Sequence, residues 1–138
     1  SKTVSLQNSQ TADHRVLGGL FVIAAALLAS STSTAHHSFA AEFLEDQTRT
    51  IEGVVTEVWF KNPHVRYYVE ITNDEGDAET WDTRTSSPTI LVRRGWTPKT
   101  IQEGDKVKVH GHLGRDGRKL LSVIYIELED GTRLGQGY

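Results

Sequence analysis

Six histidines and no cysteine set the terms on which this chain could do chemistry. Without thiols there is no disulfide, no thiolate metal site, no iron–sulfur cluster and no thiol nucleophile, so any metal site must be built from imidazoles and carboxylates. His36 is the most informative of the six. If a peptidase cuts after Ala35, His36 becomes the first residue, and its free α-amine and imidazole can chelate one ion together. Nitrogen donors of that kind in a tetragonal arrangement suit Cu(II), which heads the divalent affinity order. A further imidazole must come from elsewhere in the chain. His64, in the NPH stretch at residues 62–64, is the first choice, with His37, His110 and His112 behind it.

Each histidine also has an ordinary structural explanation. His36 and His37 are adjacent, so on an extended segment their rings point to opposite sides. His110 and His112 share a strand face with Lys106 and Lys108, which makes a solvated and partly cation-repelling surface. His64 could serve only to hydrogen-bond a neighbouring backbone group in its turn.

The cut after Ala35 is expected from the residues before it. Leu17 to Ala29 read LGGLFVIAAALLA, preceded by Lys2, His14 and Arg15 and followed by small polar residues with Ser33 and Ala35 at the −3 and −1 positions. The apolar run falls short of the roughly 20 residues that cross about 30 Å of hydrocarbon. A basic start, a short apolar middle and a small-residue exit make residues 1–35 a secretory signal, which places the protein in the bacterial periplasm with no membrane attachment after cleavage. An uncleaved anchor is the alternative reading of the same run.

Composition narrows the field further. With 138 residues, a formal charge of −3 and 37% hydrophobic content, the chain supports one core and carries no basic footprint for nucleic-acid backbones.

The residues after the signal read as strands with one helix. Residues 36–49 are an N-terminal segment, residues 50–130 a β-barrel and residues 131–138 a polar tail. Thr50 to Phe60 mixes β-branched and aromatic residues around Gly53, which suits a bulge or a close backbone approach. Lys61-Asn62-Pro63 breaks that strand. Val65, Tyr67, Val69 and Ile71 then alternate with Arg66, Tyr68 and Glu70, a period of two that marks a half-buried strand. Ala78 to Arg84 is the third strand. Ser86 or Ser87 as N-cap, Pro88 in the first turn, Arg93-Arg94 at the end and Gly95 after them outline a two-turn helix. Lys106 to Leu113 and Leu120 to Leu128 complete the set.

The order β1-β2-β3-α-β4-β5 is that of a five-stranded Greek-key barrel of the oligonucleotide/oligosaccharide-binding (OB) type, an all-β fold with one short helix. Ligands of such barrels lie across strands two and three, framed here by the loops at residues 61–64 and 114–119. Asn62, Arg66, Tyr68 and Trp96 are therefore the candidates for a non-metal ligand, with Tyr68 favoured because alternation puts it opposite the apolar face. Most of the other aromatic residues should fill the core.

The stretches AHHSFAAEF at residues 35–43, NPH at 62–64, RRGW at 93–96 and GDKVKVHG at 104–111 together resemble an uncharacterised bacterial family of small exported proteins, a domain of unknown function. The resemblance implies export and a compact β-rich domain, and it transfers no activity and no site residues.

Catalytic constellations are weak. Ser38, Ser86 and Ser87 lack a nucleophile elbow, no glycine-rich phosphate loop precedes a helix, and acidic pairs such as Glu45-Asp46 fall in turns or linkers. The expectation is a non-catalytic binding or accessory module for a copper-type ion. The alternative is a domain that binds a non-metal ligand or docks an envelope protein. The third reading is a small copper-dependent redox enzyme, because an N-terminal histidine chelate is half of the brace found in copper monooxygenases.

Overall fold

The computed structural model describes residues 38–135. Residues 1–37, which include the expected signal sequence, His36 and His37, lie outside the described residues, as do residues 136–138. Residues 38–42 are helical and lead directly into β1 (Phe43–Trp59), a strand of 17 residues. Then follow β2 (Arg66–Thr72), β3 (Ala78–Arg84), the helix α1 (Pro88–Arg93), β4 (Lys106–Gly114), β5 (Leu120–Leu128) and β6 (Arg133–Gly135).

β1 serves two neighbours in turn. From Thr48 to Val54 it pairs antiparallel with β4, and from Val54 to Trp59 with β2 on its other edge. Gly53 stands at the changeover. A Cβ added there would lie 2.0 Å from the Glu70 carbonyl oxygen, so the missing side chain is what lets the two backbones approach. A register shift between Val55 and Glu57 adds to the bend.

β2 pairs antiparallel with β3, and β3 meets β5 in parallel over Asp82↔Leu120, Thr83↔Leu121 and Arg84↔Ser122. That short ladder closes a ring through β1, β2, β3, β5 and β4, leaving β6 as an extra strand on β5. The all-β fold with one short helix, in the strand order read from the sequence, is therefore present.

The inward residues follow the strand period of two. Val65, Tyr67, Val69 and Ile71 are buried while Arg66, Tyr68 and Glu70 face outward, and Val107 and Val109 are buried between Lys106, Lys108 and His110. The buried hydroxyls of Thr83 and Thr85 donate to the carbonyls of Tyr67 at 2.6 Å and Val65 at 2.8 Å, which removes the cost of burying them. The Tyr67 hydroxyl is different: buried, without a hydrogen-bond partner among the described residues, and with its pKa pushed upward by desolvation.

α1 is too short to be stable alone, so packing must hold it. The Ser87 side chain accepts from the Ile90 N–H, Pro88 opens the helix, and the Gly95 N–H bonds to the Val92 carbonyl at φ 89. The Trp96 N–H reaches back to the Leu91 carbonyl at 3.0 Å, completing a Schellman cap whose hydrophobic partners are Leu91, 0% exposed, and Trp96, 3% exposed. The RRGW stretch is thus a helix stop that delivers Trp96 into the core. Trp96, expected among the ligand-contacting residues, is taken up by packing because the residue after a left-handed glycine cap turns back onto the helix.

Two boundaries differ from expectation. β1 begins at Phe43 rather than Thr50, because its first half is outward-facing and exposed from Glu45 to Thr50 and so lacks the apolar alternation that marks a strand. The polar tail contributes β6, whose Arg133, Leu134 and Gly135 pair with Glu127, Ile126 and Tyr125.

Two substitutions test this packing. Gly53→Ala should destabilise the domain by about 1–3 kcal/mol in urea unfolding, since the Glu70 backbone must move away from the new methyl. Tyr67→Phe should leave stability unchanged or raise it by about 1 kcal/mol, because it removes a buried hydroxyl without a hydrogen-bond partner among the described residues; a loss of that size would reveal a bound partner for the phenol.

Candidate functional site

The sheet's outer face carries the polar groups that the core excludes, and at one place it is covered. Arg84 on β3 pairs with Ser122 on β5, and Ser122 pairs with His112 on β4, so these three residues form a row across three strands. Over this row lies the stretch from Phe39 to Phe43. The Phe39 and Phe43 rings stack at 5.0 Å, and Phe39 meets the His112 ring edge-on at 5.5 Å. The Arg84 guanidinium donates to the Glu42 carboxylate and sits 5.7 Å from the centre of the Phe43 ring. From the loop between β4 and β5, Arg115 donates through Nε to the Ala40 carbonyl and through its backbone N–H to that of Glu42. Arg118 reaches the same Glu42 carbonyl at 3.3 Å.

The charges around Arg84 balance only with this stretch in place. Arg66 and Arg84 are direct cross-strand partners, an arrangement that is repulsive by itself. Asp82, on the same face, takes Arg66 at 3.0 Å and stands 4.0 Å from Arg84, while Glu42 supplies the second carboxylate. Among the described residues, four buried side-chain polar atoms lack a hydrogen-bond partner, and three of them belong to this region: Asp82 Oδ1, Arg84 Nε and His112 Nδ1. Each such atom ordinarily costs about 1–3 kcal/mol.

The histidines occupy three different settings. His64 is exposed, and its Nδ1 lies 2.9 Å from the Thr85 carbonyl. A carbonyl can only accept, so Nδ1 carries the proton and Nε2 is left as a lone-pair donor, the tautomer found in metal-ligating imidazoles. His110 is engaged on both sides: Nδ1 is 2.8 Å from the Thr50 hydroxyl, and the ring stacks on Tyr125 at 5.1 Å. Tyr125 in turn lies beneath Arg133 at 4.4 Å. His112 is the imidazole under Phe39. The structure brings together no group of three or more metal-binding side chains among the described residues, and His36 and His37 lie outside them.

The non-metal candidates are spread out. Arg66 and Tyr68 share the outer face of β2 with Trp59, which pairs with Arg66 and is 40% exposed. Lys61 stacks on Trp59 at 4.4 Å. Asn62 is exposed in the adjoining loop, where its peptide bond to Pro63 is cis.

Sequence reasoning missed the Arg84 cluster. The available signal was Phe39 and Phe43, spaced i and i+4 as on one side of a helix, within a stretch read only as a segment leading into the barrel. Lys108, read as repelling cations, is 3.9 Å from Glu127 and so is partly neutralised. Glu127 also accepts from Arg133 at 2.8 Å, and that hydrogen bond is the main reason its pKa lies below the ordinary carboxylate value.

Fold and surface thus define a small β-rich domain with one covered patch on its outer face and no buried catalytic constellation among the described residues. Residues 24–121 match the family of unknown function DUF6152, and the chain belongs to it. No curated protein matches the sequence. Among solved structures it is similar to the mitochondrial single-stranded DNA-binding protein Rim1 of S. cerevisiae, with a TM-score of 0.46 and 12% identity over 62% of this chain and 96% of that one. No helix among the described residues is long and apolar enough to cross a membrane.

The Glu127–Arg133 pair can be checked by titration. A carboxylate with a depressed folded pKa contributes stability that is present at neutral pH and is lost as pH falls through that folded value. Following Glu127 by NMR, Arg133→Ala should return its titration toward the ordinary carboxylate range and weaken hydrogen-exchange protection at Arg133–Gly135. A midpoint that does not move would show that Arg133 is not what lowers it.

Proposed function

We propose that this protein is a non-catalytic periplasmic binding module that takes Cu(II) through the α-amine and imidazole of His36, freed by cleavage after Ala35, together with one imidazole of the sheet. The observation that carries this reading is the seating of Phe39 against His112. Phe39 follows His36 by three residues in the sequence, which makes His112 the sheet imidazole proposed here as the third donor. His112 Nδ1 is buried without a hydrogen-bond partner among the described residues, which supports this reading. On this argument His112 precedes His64 as the third donor, although His64 has the better-prepared tautomer. Copper suits an all-nitrogen set of amine and imidazoles, and affinity falls with acid because each donor must lose its proton.

A second reading rests on the exposed Trp59 beside Arg66 and Tyr68. Such a face suits stacking with a glycan or aromatic ligand, or docking of an envelope protein.

Material purified from the periplasm decides between them. Intact mass should give a chain beginning at His36, with one Cu(II) retained against a competing chelator. His112→Ala should weaken binding roughly 10–100-fold, with His64→Ala costing less. The reverse order would reassign the third donor to His64. A different first residue, or no copper uptake, would end the metal reading; a glycan or small-molecule hit abolished by Tyr68→Ala would then favour the second.

A further inference from the structure

α1 keeps only Leu91 inside, while Thr89, Ile90, Val92 and Arg93 are all exposed. With about 100° between successive residues, the arc opposite Leu91 runs Val92, Thr89, Arg93, Ile90, so the outward side of the helix is a cation flanked by two aliphatic side chains. Scattered surface aliphatics are ordinary. Here the two most exposed large hydrophobic side chains among the described residues, Val92 at 56% and Ile90 at 41%, share one helix of six residues. β-Branched residues are also poor formers of an exposed helical turn, where alanine or lysine would hold it better, so helix stability does not account for them.

The charge around this face is of one sign. From Thr85 to Ile101 the chain has no acidic residue and carries Arg93, Arg94 and Lys99, in a protein whose formal charge is −3. None of these three side chains has an ion pair or hydrogen bond among the described residues, in contrast to Arg66, Arg84 and Arg133. The first turn of α1 also lacks the aspartate or glutamate that a helix amino end favours. We propose that the outward side of α1 and the turn after it form a docking surface for an anionic lipid bilayer, with Arg93, Arg94 and Lys99 at the headgroup phosphates and Ile90 and Val92 entering the boundary below them. A six-residue helix is about 9 Å long, too little for a protein interface of roughly 800 Å² on each partner. A fluid surface demands no matching shape and accepts so small a face in a weak, reversible contact. That contact is peripheral, unlike a spanning helix, and it is independent of the copper reading.

The test is co-sedimentation of the protein purified from cells with vesicles of phosphatidylglycerol and phosphatidylcholine in equal parts, against vesicles of phosphatidylcholine alone, with near-ultraviolet circular dichroism as the check on folding. The wild type should bind the anionic vesicles more tightly and lose that preference at about 1 M salt, where the screening length falls to about 3 Å. Each cation near such a surface contributes about five-fold in binding, so Arg93→Gln together with Arg94→Gln should weaken it roughly 25-fold. Ile90→Ser together with Val92→Ser should weaken it several-fold by removing the buried aliphatic area. The apolar run at residues 17–29, if retained, brings lipid binding of its own, so the deciding quantity is the difference that the α1 substitutions make. Either substituted pair binding as the wild type does, or a wild type without preference for the anionic vesicles, overturns the proposal. So does a wild type that passes over the vesicles and instead binds polyglutamate through Arg93 and Arg94, which assigns the face to an acidic protein partner. If the helix substitutions alter the circular dichroism, Lys99→Gln, in the turn beyond the helix, tests the charge contribution alone, with an expected loss of about five-fold.

Discussion

The approach of the β1 backbone to the Glu70 carbonyl, permitted by the absence of a side chain at Gly53, is the constraint on which this fold depends. β1 lies between β2 and β4 and pairs with each along part of its length, and the close approach at Gly53 falls where the two pairings meet. Once β1 bends, β4 and β2 diverge, β3 and β5 are carried round toward one another, and three parallel pairs suffice to join them. Gly111 repeats the device on the neighbouring strand, where an added Cβ would lie 2.4 Å from the Ser122 carbonyl. Both glycines spare a backbone contact rather than provide a turn, and Gly111 lies at the register shift between β4 and β5.

The same curvature explains why polar chemistry gathers outside the ring. Its inner volume is consumed by Tyr67, Trp81, Trp96 and the branched aliphatic residues, so cations and imidazoles stand on the outer surface and must find partners laterally. They do so in rows. Lys108, Glu127 and Arg133 form one charged row, and Thr50, His110, Tyr125 and Arg133 form a second of stacked and hydrogen-bonded groups. The third row, Arg84 to His112, is completed by residues that arrive from the start of the described chain. It is also where unmatched buried polar atoms collect, which sets it apart from the two self-satisfied rows.

Elements with a strong local period were readable in the letters. β3 and β5 have the bounds that alternation and turn residues mark, and the helix begins and ends where Ser87, Pro88 and Gly95 place it. What escaped was decided by tertiary pairing. The first half of β1 is polar on its exposed residues and owes its strand form to β4, and β6 owes its three residues to β5. Trp96 was misjudged for a related reason: a tryptophan after Arg-Arg-Gly reads as an exposed loop aromatic until the cap geometry turns it inward. Histidines are visible in any sequence, whereas the fact that Phe39 lies on His112 and not beside His64 depends on how a helical turn docks across three strands, which no local pattern encodes.

The brevity of β6 has a further consequence. As the strand outermost on β5, it presents its unpaired backbone groups to the surroundings, and open sheet margins are natural templates for self-association into cross-β stacks. Here that margin offers only Arg133, Leu134 and Gly135, with a cation at one end and a glycine at the other. So short a margin gives a neighbouring copy little backbone to pair with.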